Sequence, residues 1–152
     1  MKKILVSSCL YGGSPVRYDA ADIPSMDEDF LKAKEEGRLI PVCPEISGGL
    51  GVPRSPVELS GGSAINHEGS DVTAEFLKGA EESIRVAREN NVACVILKDG
   101  SPSCGSNNIY DGTFTGKKIP GQGITAEALR DAGFPVFSEN EIDKALALIC
   151  KQ

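Results

Sequence analysis

The segment "DVTAEFLKGAEESIRVAREN" (71–90), running into "NVACVIL" (91–97), decides the fold. In the first piece Val72, Phe76, Ala80, Ile84 and Ala87 recur at intervals of four and three, which puts them on one face of a helix; its other face is charged. The second piece is a short apolar run rich in valine and isoleucine, as expected of a strand covered on both faces. A helix feeding such a strand is half of a βαβ unit.

The same strand signature recurs at "KKILVSS" (2–8) and "RLIPVC" (38–43). Further on, "TAEALRDAGFPVFSENEIDKALALIC" (125–150) predicts a short helix closed by Gly133 and a strand at 134–137. A last helix follows, opened by a capping box in which Ser138 precedes Glu141 by three residues. Strands alternating with helices predict an α/β protein, a Rossmann-like three-layer sandwich with a mostly parallel sheet and right-handed crossovers. At 152 residues, one domain spanning 1–152 is expected. The 17 glycines and 9 prolines concentrate in 41–63 and 99–123, which marks two long loops of the kind that carry function.

A formal charge of −6, with lysines and arginines scattered, provides no basic tract for a phosphate backbone, so nucleic acid is not an expected partner. No run of 18 apolar residues is present, and the three apolar residues after Lys3 in "MKKILVSSCL" are too few for a signal peptide core. A cytoplasmic protein without a membrane partner is expected, and the pattern suits a monomer and a dimer equally. With three tyrosines, five phenylalanines and no tryptophan, no broad platform for stacking a base is expected.

Five cysteines in such a chain point to metal binding or catalysis in preference to disulfides. Cys9 ends the first strand and Cys43 the second, while Cys104 lies just past the third in "LKDGSPSCGS". Neighbouring strands are about 4.8 Å apart, so three cysteines at three strand ends converge if the strands are adjacent. Thiolates select zinc, copper(I) or iron–sulfur centres, and three ligands leave an open, catalytic position. Cys94 fits packing inside "VACVIL"; Cys150 falls in the last helical turn and His67 in the polar loop "NHEGS". Glu45, two residues past Cys43, suits either a general base or a loop ion pair, and Ser101 either a proton donor or a turn residue. Arg17, Tyr18 and Arg54 are candidate substrate contacts, as are the amides of "GQGIT" (121–125) at a helix N-terminus.

Taken in order, "CLYGGSPVRYDA", "CPEISGGLGVPRSPVE", "SPSCG" and "IYDGTFTGKKIPGQGITAEAL" resemble the thiouracil desulfurase family over residues 4 to 137. The resemblance implies an oxygen-sensitive [4Fe–4S] cluster held by Cys9, Cys43 and Cys104. It further implies removal of sulfur from thiolated uracil without net redox change, with Glu45 and Ser101 as catalytic residues. One departure is Ala20, where the family pattern suggests glycine. Two other readings use the same cysteines: a zinc–thiolate hydrolase, and a non-enzymatic iron–sulfur carrier or redox sensor.

Overall fold

The structure, a computed structural model, describes residues 2–13, 17–19 and 23–150. Ala20 lies outside them, and so does the side chain of Cys150. Strand β1 (Ile4–Ser7) runs into a single-turn helix α1 (Ser8–Tyr11), and α2 (Glu28–Glu35) leads to β2 (Leu39–Val42) and a second single turn, α3 (Pro44–Ser47). A hairpin of β3 (Val57–Ser60) and β4 (Ser63–Asn66) precedes the long helix α4 (Thr73–Glu89) and strand β5 (Cys94–Leu97). A second hairpin, β6 (Asn108–Tyr110) and β7 (Lys118–Pro120), is followed by α5 (Ile124–Asp131), β8 (Val136–Ser138) and α6 (Ile142–Cys150).

Strands β2, β1, β5 and β8 form one parallel sheet in that order, with Ile4 opposite both Leu39 and Cys94. The chain steps from β1 to β2 on one side, then returns to place β5 on the other side of β1. Strand order therefore reverses at the sheet centre, where crossovers leave towards opposite faces and open a crevice beyond the strand ends.

Alternate residues of the strands serve the two faces. Ile4, Val6, Cys94 and Ile96 pack with Phe30 and Ala33 of α2 and with Ile142, Ala145 and Ile149 of α6. Leu5, Val95 and Leu97 pack with Ala87 of α4 and with Ala126 and Leu129 of α5. These are the three layers the pattern predicts. Helix α4 buries Phe76, Ala80 and Ala87 on the face drawn from the sequence, with Gly79 and Ser83 filling it. The capping box forms only in part: Glu141 accepts the Ser138 amide at 3.1 Å, but Ser138 ends β8, its hydroxyl accepts the Asn140 amide, and α6 begins at Ile142, so the pair shapes the turn between strand and helix.

The glycine-rich stretches differ from expectation. They contain hairpins: 41–63 leads into β3–β4, and 99–123 contains β6–β7. Helix α2 has no counterpart in the sequence reading; Asp27 caps it by accepting the Phe30 amide at 3.0 Å.

Candidate active site

A cavity of about 430 Å³ opens at the carboxyl ends of β1, β2 and β5, and Cys9, Cys43, Cys104, Glu45 and Ser101 all line it. Cys9 lies in α1, directly past β1, and Cys43 is the N-cap of α3, directly past β2. Cys104 sits in the turn 101–105 beyond β5 and is 5% exposed. Cys94 is fully buried in the core, its sulfur against the Ala145 carbonyl at 3.6 Å. It takes no part in the cavity.

The three cavity thiols are close enough to act on each other electrically. Burial, and after it the Cys43 sulfur, pushes the Cys9 thiol up to about 11. Burial also raises Cys43, against the opposing amides of Ile46 and Glu45. Cys104 is raised by burial, opposed by the Ser7 hydroxyl, with Cys9 and Cys43 adding to the rise. Without a cation the three sites therefore hold protons at neutral pH, and a bound positive centre is what would release them. Among the described residues no three His, Cys, Asp or Glu side chains close around a single-ion position.

Two turns set the positions of the remaining groups. Glycine at 79 lets α4 pass against α3, since a Cβ there would run into the Pro44 carbonyl. Glu45 is thereby fixed in the first turn of α3. In the other turn the Ser101 Oγ accepts the amides of Ser103 at 3.2 Å and Cys104 at 3.1 Å, folding the chain so that Cys104 faces the crevice. Gly105 is required because a Cβ would fall 2.7 Å from the Ser101 carbonyl oxygen. The amides of Gly123, Ile124 and Thr125 donate to the carbonyls of Gly105, Pro102 and Ser103.

That last set corrects an expectation. Within "GQGIT" the amides of Gly123, Ile124 and Thr125 anchor the 101–105 turn to α5 and that of Gly121 donates to the Asn107 carbonyl, so these four are taken by backbone and do not meet a substrate atom. Arg54 is also placed differently from a free substrate contact: its Nε donates to Glu45 Oε1 at 3.1 Å, and the two side chains are only 10% and 13% exposed. Arg17 and Tyr18 line the cavity, and so does His67, whose ring meets Phe114 edge-on at 5.1 Å.

Ser103 has no place in the sequence reading and is central to the geometry. Its hydroxyl, 1% exposed, donates to Glu45 Oε2 at 3.1 Å and lies 3.0 Å from Ser101 Oγ. The Cys104 sulfur at 3.7 Å is a second, longer acceptor for the same hydroxyl; with the proton on the nearer carboxylate, Ser103 is left to accept from Ser101. The row Ser101, Ser103, Glu45 is polarised towards the carboxylate, and Arg54 closes its far end. Aromatic residues also gather here more than composition suggests: Tyr18, Tyr110 and Phe114 all line the cavity.

The model of the family described as 2-thiouracil desulfurase matches residues 4–141. An uncharacterized protein of Bacillus subtilis (strain 168), YbbK, is 44% identical over 153 residues, covering 94% of this chain and 99% of its own. A solved structure titled as the [4Fe–4S]-dependent thiouracil desulfidase TudS superposes with a TM-score of 0.96 at 39% identity, covering both chains completely.

Proposed function

The chain belongs to the 2-thiouracil desulfurase family, and from that premise we propose that its cavity hydrolyses thiolated uracil, 2-thiouracil giving uracil and sulfide without net electron transfer. One observation carries the reading: three thiols from three separate strand ends line the same cavity as a carboxylate wired to two hydroxyls.

The donor set fits a [4Fe–4S] cluster. Three soft thiol sulfurs from three strand ends line one cavity, the donor type that selects iron–sulfur centres. Cys9, Cys43 and Cys104 would hold it, with Cys94 committed to the core. When bound, the cluster would supply an iron lacking a protein ligand, a Lewis acid matched to a thiocarbonyl sulfur.

The protein's own groups supply the proton chemistry. Glu45 is the base, oriented by the Arg54 guanidinium. Glu45 takes a proton from the attacking water. Ser101, whose two lone pairs accept the Ser103 and Cys104 amides, donates to Ser103, and Ser103 in turn holds the carboxylate and relays the proton. Running back along the same row, the proton returns to the cavity. The balance is that of hydrolysis: the oxygen of water replaces sulfur on the carbon, and its two protons leave with the sulfide.

The test is turnover in ¹⁸O-labelled water with no electron donor present. One labelled oxygen per uracil is expected. Unlabelled uracil, or a requirement for a reductant, would refute hydrolysis.

A further inference from the structure

The loop 111–117 joining β6 to β7 is held over the cavity by a group the proton chemistry does not use. Glu58, on β3 and 9% exposed, accepts the amides of Gly112 at 3.0 Å and Phe114 at 3.1 Å with the same Oε1. Buried carboxylates are retained where they are paired or hydrogen-bonded, and this one is bonded to the backbone of another hairpin. Its backbone partner Phe114 has φ +58°, a conformation that is uncommon for a residue with an aromatic side chain. Glycine at 112 allows the approach, since a Cβ there would lie 2.8 Å from the Leu59 carbonyl oxygen. Backbone held in that region persists where its surroundings over-determine it, often at ligand sites. The result of this arrangement is that the Phe114 ring lines the cavity, braced edge-on by His67, with Tyr110 of β6 beside it.

We infer that this loop is the specificity wall of the site: Phe114 packs against the planar ring of a heterocyclic thioamide, and Glu58 is the positioning residue that holds it there. The inference rests on the desulfuration reading and deepens it. The substrate class it selects is flat and unsaturated, because an apolar aromatic surface rewards a ring that can lie against it and gives little to an acyclic thioamide. Glu58 acts as an acceptor of two amides, so its carbonyl-type oxygen matters and its charge does not.

The test compares 2-thiouracil with thiourea, an acyclic thiocarbonyl substrate, on the cluster-loaded enzyme. Phe114→Gly relieves the left-handed backbone while deleting the ring, so the loop is spared. It should raise KM for 2-thiouracil about tenfold with kcat little changed, and leave thiourea kinetics as in wild type. Glu58→Ala should act likewise, and Glu58→Gln, which keeps an acceptor oxygen, should resemble wild type. Uracil binding to the loaded enzyme by saturation-transfer NMR gives a readout independent of turnover: the signal should weaken in Phe114→Gly. An unchanged KM and uracil signal in Phe114→Gly would overturn the inference while leaving desulfuration standing, and so would loss of kcat in Glu58→Gln. A wild-type enzyme that turns over neither thiocarbonyl compound overturns the desulfuration reading and this inference together.

Discussion

Ser103 donates to Glu45 across 3.1 Å, joining the turn after β5 to the turn after β2 over a sequence separation of 58 residues. The contact makes Ser103 the only link between Ser101 and the carboxylate in the row described above. Ser103→Ala should therefore lower kcat by about ten- to a hundredfold, with iron content and KM unchanged. Steady-state kinetics on metal-quantified samples check it. An unaltered kcat would remove Ser103 from the proton path.

Arg54 and Glu45 form a mostly buried pair at 3.1 Å. Removing the guanidinium leaves a carboxylate short of its partner in a partly desolvated place, which costs about 1–3 kcal/mol. Arg54→Met should show that loss in chemical denaturation and should also lower kcat, because the base loses both its orientation and its charge partner. Stability lost with kcat intact would make Arg54 a structural residue only.

The four described cysteines divide by place. Cys9→Ala, Cys43→Ala and Cys104→Ala should each lose iron and acid-labile sulfide after anaerobic reconstitution. Cys94→Ala, confined to the core, should retain both and lose only about 1 kcal/mol of stability. Iron lost in Cys94→Ala and kept in Cys104→Ala would contradict the ligand assignment.

In the cluster-free protein the Cys9 thiol is raised from 9.0 to about 11, chiefly by burial. The unfolded chain releases this proton first, so the stability that the neutral thiol confers is complete below pH 9 and declines as pH rises to 11. Two units correspond to at most about 2.7 kcal/mol. Cluster-free wild type should thus lose stability relative to Cys9→Ser between pH 9 and 11, followed by urea unfolding of both. A difference that stays constant across this window would contradict the burial of the thiol.

The sheet was legible because its central strands β1 and β5, buried throughout, read as unbroken apolar runs, and α4 because its apolar face repeats over four turns. Helix α2 was not, since only Phe30 and Ala33 of its eight residues are buried, too few to show a period. The β6–β7 hairpin was hidden for a similar reason: β7 is exposed throughout and β6 only half-buried, so neither alternates. Within the site, the cysteines could be placed because Cys9 and Cys43 follow a strand directly and Cys104 lies in the loop that leaves a third. Ser103 and Glu58 could not, because their meaning lies in partners more than fifty residues away. The N-terminus of α5 misled because the carbonyls that consume its amides belong to a turn about twenty residues upstream.

The central claim is that thiols and carboxylate at this cavity together desulfurate a thiolated base. The most direct measurement offers 2-thiouracil to anaerobically reconstituted protein and follows uracil and sulfide, with iron and zinc assayed in the same sample. Uracil and sulfide released in equal amounts by iron-loaded protein is the result predicted. Zinc bound stoichiometrically without iron, or fully iron-loaded protein that releases no uracil, would contradict it.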